Sequence, residues 1–149
     1  HVNGTNSTMT DSDAFGAFIE TTYDETLALL VDTREILNNL PKREEPDAPQ
    51  PLGRAETMSA ISNLTWRMTE LMSWLLLQKG IIAGEINLED AAKEPSFKLP
   101  DISFDDSRHD SPDVDLPVAV RGVIDRSRRI GDRAIKLETS LQNARASSD

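Results

Sequence analysis

Apolar residues recur at helical spacing in three separate stretches, and no stretch alternates as a strand would. The first runs from about Asp13 to Leu40. Phe15, Ile19, Tyr23, Leu27, Leu30 and Leu37 follow steps of three, four and seven, while Phe18, Leu29, Ile36 and Leu40 lie off that stripe. Ser12 or Asp13 suits the N-cap, and Pro41 ends the pattern. The second stretch runs from about Pro51 to Gly84. Met58, Ile61, Thr65, Met68, Met72 and Leu75 form one seam, and Trp66, Trp74, Leu77 and Ile81 form another. Pro51 fits a first helical turn and Gly84 a stop. The third runs from about Pro117 to Ala144, with a heptad-like stripe of Val120, Ile124, Ser127, Ile130, Ala134, Leu137 and Leu141.

The connections are of two kinds. "PKREEPDAPQP" holds four prolines in eleven residues and reads as a linker without a helix of its own. Asn87, with Asp90 three residues later, resembles a cap for one short extra turn. From Glu94 to Leu116 the chain has seven acids against Lys98 and Arg108, contains proline and lacks any period. It reads as a long, flexible acidic loop that Phe97, Leu99, Ile102 and Phe104 can anchor. Residues 1–12 are expected to be a disordered N-terminus, with Met9 a candidate start, and 146–149 a short polar tail. Asn3, Asn6 and Asn63 sit in N-x-[ST] sequons, which are read as chance.

The pattern therefore predicts an all-α domain over residues 13–145. Three helices, at about 13–40, 51–84 and 117–144, are each roughly 40–50 Å long. They are expected to pack as an extended antiparallel three-helix bundle. "SWLLLQ" complicates that picture, because four consecutive apolar side chains on a helix point in four directions. A second seam on helix 2 predicts a surplus apolar face that meets another copy. The candidate dimer interface is Trp66, Trp74, Leu77, Ile81, Phe18 and Leu29. Tryptophan on a helix is more often core, although it is also enriched at interface hot spots.

The 149 residues carry a formal net charge of -10 and no cysteine, so disulfides and thiolate chemistry are excluded and a reducing compartment is suited. The longest apolar run is five residues, at 27–31, against about 20 for a membrane span. The two histidines, His1 and His109, lack metal-ligand spacing, and the glycines form no phosphate-binding pattern. Asp105 and Asp106 read as solvated charge. No catalytic residue, cofactor or metal site is expected, and the chain is not expected to be an enzyme. Arg121, Arg126, Arg128, Arg129, Arg133 and Lys136 cluster on helix 3. The net charge favours internal balance against helix 1 acids, or an acidic protein partner, over nucleic acid. Arg121, Arg128, Arg129 and Arg133 are the candidate partner-binding residues. A nucleic-acid-associated regulator using that basic face is the alternative.

"TWRMTELMSWLLLQKGIIAGEIN" resembles the signature of the alphaproteobacterial family named regulator of CtrA degradation. In that family a threonine–arginine pair and a "SWLLLQ" core precede a basic residue and a Gly-Glu-hydrophobic stop, positions held here by Lys79, Gly84, Glu85 and Ile86. "LPVAVRGVIDRSRRIGDRAIKLE" is similar to the family's last helix, and "FIETTYDETLALLVDTREIL" to its first. An aromatic is usual near the position of Gly131. The resemblance covers roughly 90 residues. It implies a dimeric three-helix bundle that acts as an adaptor or accessory factor of the ClpXP protease. The partners it implies are the protease unfoldase, a response-regulator-type adaptor and transcription-factor cargo of the cell cycle. It further implies a cytoplasmic protein open to recruitment at a cell pole.

Overall fold

A computed structural model describes residues 3–40, 53–103 and 116–147, with side chains from residue 13 onward. Every regular element among the described residues is helical: α1 (Asn3–Asn39), α2 (Arg54–Ile82), α3 (Leu88–Ala91) and α4 (Val118–Ser147), with a single 3-10 turn at Pro95–Phe97. The four helices pack together, and the all-α expectation holds. The linker from Pro41, residues 104–115 with Phe104 and His109, and the end of the polar tail lie outside the described residues.

The N-terminal expectation needs correction, because α1 is already helical at Asn3 rather than at the Ser12–Asp13 cap. No proline interrupts residues 3–13. Once a helix is nucleated, Ser, Thr and Asn extend it at less than about 0.7 kcal/mol each. The C-terminal end of α2 behaves as read. Gly84 adopts φ 76, a left-handed conformation that glycine accepts without a Cβ clash, and the Glu85 and Ile86 amides close back on the Gly80 carbonyl. At α3, the Asn87 side-chain oxygen accepts from the Asp90 amide at 2.7 Å, as the spacing predicts.

Cross-helix pairs set the directions. Glu20 meets Lys79, and Gly16 faces Ile82, so α1 and α2 are antiparallel. Asp32 meets Arg126 and Glu25 meets Arg133, so α1 and α4 are antiparallel too. Consequently α2 and α4 run parallel, with Gln78 bonded to Arg145 near their C-terminal ends. An arrangement antiparallel throughout is thus corrected. A parallel pair needs a connection that returns along the whole helix length, about 40 Å for α2.

That return begins as a packed strand of chain, not as a free loop. Phe97 lies under Arg145, the Leu99 amide bonds Glu138, and Ile102 faces Gly131, so the segment descends α4 from its C-terminal end. Ile102 is fully buried in the core cluster. The flexible-loop expectation is therefore corrected over 94–103. Gly131 explains the absence of an aromatic there: the place of its Cβ is 3.8 Å from Ile102 Cδ1 and 4.0 Å from the Ile102 carbonyl oxygen. A large ring would occupy the track of the returning chain.

The core differs in detail from the predicted seams. On α2 the buried line is Ile61, Leu64, Met68, Leu71, Leu75 and Gln78, stepping three and four, with Trp74 beside it. Of the predicted seam, Met58 and Thr65 are exposed and Met72 half-buried. On α1 the buried residues are Ile19, Thr22, Thr26, Leu29 and Thr33. Thr26 and Thr33 donate their hydroxyls to the carbonyls of Thr22 and Leu29, which makes them fit for burial. The α4 stripe is close to its reading: Val120, Ser127, Ile130, Ala134 and Leu141 are buried, with Val123 and Gly131 added.

Candidate protein-interaction surfaces

Two surfaces follow from the helix phases. The first is the outward side of α2. At about 100° per residue, Met58, Ser62, Thr65, Trp66, Thr69, Met72, Ser73 and Leu76 share a sector roughly 120° wide and 27 Å long. None of these residues is charged; Glu56, Arg67, Glu70 and Lys79 of α2 lie outside the sector, and Arg54, in line with Met72, lies one turn before Met58 at the start of the helix. Trp66 and Leu76 are each 52% exposed, and Met58 is 37% exposed. In the antiparallel register, Leu27 of α1 falls level with Met72 and Val31 with Met68. Both are exposed, so the apolar surface extends onto α1. The four residues of "WLLL" divide accordingly. Trp74 and Leu75 enter the core, Leu77 is half-buried, and Leu76 points out.

The predicted interface residues do not all meet. Trp74 and Leu29 are buried in the chain's own core, at 1% and 0% exposure, and cannot reach a partner. α2 is wedged between α1 and α4, so two of its apolar directions are already inside. Phe18 is 60% exposed but sits seven residues before Glu25, on the α1 stripe that reaches α4, away from the outward side of α2. Trp66 and Leu77 share one stripe of α2, and Ile81, half-buried, flanks it.

The second surface is the basic side of α4. Arg126 donates to Asp32 at 2.7 Å, and Arg133 forks onto both oxygens of Glu25. Charge balance with α1 thus engages at least Arg126 and Arg133 of the six cations among the described residues. Each pair is 38–52% exposed and stabilises by no more than about 1 kcal/mol. The four predicted partner-binding residues do not form one face. Arg121 and Arg128 lie seven apart on one side. Arg129 and Arg133 lie on the other, with Asp125 and Asp132 between them. Arg129 makes no ion pair among the described residues and opens onto a groove with Glu25, Ala28, Arg126 and Arg133.

Sequence comparison adds one finding. A family model described as "Protein of unknown function (DUF1465)" matches residues 10–149. The chain belongs to the DUF1465 family. No curated protein matches it, and no solved structure does.

Some polar contacts of this DUF1465 chain escape sequence reasoning. Lys79 bonds Glu20 at 3.0 Å and lies 4.4 Å from the centre of the Tyr23 ring. The Glu20 hydrogen bond is the main cause that raises the Lys79 ammonium above its ordinary pKa. Gln78, fully buried, accepts from Arg145 at 2.7 Å. A polar residue at a seam position with the right step is the available signal for Gln78. Nothing in the sequence points to Arg145, 67 residues away. No helix among the described residues is long and apolar enough to cross a membrane, and none of their acidic or histidine side chains group as a metal site.

Proposed function

We propose that this protein is a non-enzymatic, dimeric adaptor built on a three-helix bundle, and that it promotes proteolysis of cell-cycle transcription regulators by the ClpXP protease. One observation carries the protein-interaction part of this reading: the charge-free outward side of α2 with its exposed Trp66 and Leu76. On a chain of net charge -10, a surface without charge is where a second copy approaches against least repulsion. A stable interface buries about 800 Å² per partner. The α2 strip alone falls short of that, and Leu27 and Val31 of α1 extend it. The choice of protease, of a response-regulator-type co-adaptor and of cargo rests on the resemblance of "TWRMTELMSWLLLQKGIIAGEIN" and the α4 stretch to the regulator of CtrA degradation family. Arg121, Arg128 and Arg129 supply contacts to an acidic partner, since guanidinium suits bidentate carboxylate recognition. Nucleic acid is the poorer match, because Arg126 and Arg133 are committed to α1 acids.

The test is the half-life of cell-cycle transcription regulators after protein synthesis is blocked. It is compared in cells with and without this gene, and again with the protease inactivated. The adaptor reading expects at least one regulator to be stabilised equally by either loss. Unchanged half-lives for all of them would overturn it.

A further inference from the structure

Two antiparallel helices present two grooves, one on each side of the plane through their axes. α2 fills one groove of the α1–α4 pair, meeting α1 at Gly16 and Glu20. The other is open, with a volume of about 540 Å³. The pairs Asp32–Arg126 and Glu25–Arg133 cross it as two rungs. Between the rungs, Ala28 is too small to close the gap, and Ile130, 4% exposed, forms the floor. Arg129 lines this groove, and Lys136 follows it by two turns on the same side of α4. Neither makes an ion pair among the described residues. Asp125 and Asp132 lie further round the helix towards solvent, and neither reaches these cations within ion-pair distance. Phe18, 60% exposed, stands on the α1 side. In the register set by the rungs it falls level with Ser140, eleven residues or about 16 Å past Arg129. Ser140 and Ala144 are themselves exposed and too short to cover the ring.

We infer that the open α1–α4 groove seats one amphipathic helix of a partner protein, with two carboxylates seven residues apart and an apolar side chain four residues beyond. The carboxylates meet Arg129 and Lys136, and the apolar side chain covers Phe18. Steps of seven and eleven residues return to one face of a helix within about 20°. A single helix lying nearly along α4, as in bundle packing, therefore reaches all three positions. Arg126 and Arg133 keep their α1 acids, so the added helix needs carboxylates only for the two cations that lack a partner. The inference rests on the reading of Arg129 as a partner contact and adds the form that partner takes. It does not involve the outward side of α2.

The probe is a capped alanine–glutamine helix of about 19 residues carrying Glu, Glu and Leu at that spacing. Its control has the same composition with Leu two positions earlier, on the opposite face. Each is added to the full ¹⁵N-labelled chain to about 5 mM, where a site of millimolar affinity is mostly filled. The expected result is a saturable shift of the Ala28, Arg129 and Ser140 amide signals while the Trp66 indole signal stays still. The control, and Arg129→Gln or Phe18→Ala in the protein, should each weaken binding about two- to fivefold, the factor of an exposed ion pair or one partly covered apolar contact. Both substituted residues are exposed, so the variants should keep their fold. No shift on the α1–α4 side overturns the inference, as does equal binding of the control or unchanged affinity in either variant. A Phe18→Ala protein that sediments at half the wild-type mass also overturns it, by giving the groove to a second copy. Loss of cargo turnover for Arg129→Glu in the half-life assay, without peptide binding here, would keep the partner surface and remove the helix.

Discussion

Ile102→Ala tests the corrected path of the chain between α3 and α4. Ile102 is fully buried, and its Cδ1 rests over Gly131. Replacing Ile by Ala removes three carbons. At about 0.8 kcal/mol per buried methylene, the transfer loss is roughly 2.4 kcal/mol. The cavity left behind raises the cost, within the range of about 2–5 kcal/mol for such truncations. An upper bound comes from the segment itself. Peeling residues 98–103 from α4 breaks the Leu99–Glu138 bond and the packing of Leu99 and Ile102 on the core, and the cost of the substitution cannot exceed the free energy of that local opening. We expect a loss of about 2–3 kcal/mol. With a urea dependence of about 2 kcal/mol/M, that lowers the midpoint by roughly 1–1.5 M. Urea unfolding followed by far-UV circular dichroism reads it, and amide exchange at Leu99 shows whether the segment has detached. A midpoint within about 0.2 M of wild type, with the Leu99 amide unprotected in the wild type, would refute the packed return path.

Three further outcomes follow. Met68→Ala, in the centre of the α2 seam at 0% exposure, should cost about 2–5 kcal/mol, while Met58→Ala at 37% exposure should cost under about 1 kcal/mol; equal thermal shifts would contradict the seam. Gly131→Ala meets Ile102 at ordinary contact distance and should stabilise by up to about 1 kcal/mol, whereas Gly131→Phe should expel the returning segment and expose Ile102 to rapid exchange at neighbouring amides. Reversing Arg128 and Arg129 to Glu should leave helicity unchanged but abolish cargo turnover in the half-life assay; normal turnover by the double variant would remove these arginines from the partner surface.

The helices themselves were legible because α4 places its apolar residues on one stripe and punctuates with Pro117. α1 and α2 were legible as helices but not as to which face is buried. Thr26 and Thr33 are core because each hydroxyl returns to its own helix, an accommodation that a hydrophobic pattern does not register. α2 carries apolar residues on nearly every side, so the period alone left two seams, and the buried one, through Leu64 and Leu71, runs between them. The parallel run of α2 and α4 was hidden for another reason. A connection long enough to return is also long enough to read as a free loop, and only the contacts of Phe97, Leu99 and Ile102 show that it returns along α4. For the candidate surfaces, composition favoured charge balance on α4 without saying where it falls; Arg126 and Arg133 pair with α1 acids, although Arg133 reads from the sequence as a partner-binding residue. Trp74 and Leu29 were misassigned because burial depends on which neighbours flank the helix.

The most direct measurement is sedimentation equilibrium of the wild type beside a Trp66→Glu, Leu76→Glu variant. Both positions are 52% exposed, so the variant should keep its fold and its circular dichroism spectrum. The account predicts a wild-type mass of twice 16.5 kDa at about 50 µM, within reach of a micromolar interface, and a variant mass of 16.5 kDa. A monomeric wild type at that concentration, or a variant that remains dimeric, would contradict the assignment of the outward side of α2 as the surface where two copies meet.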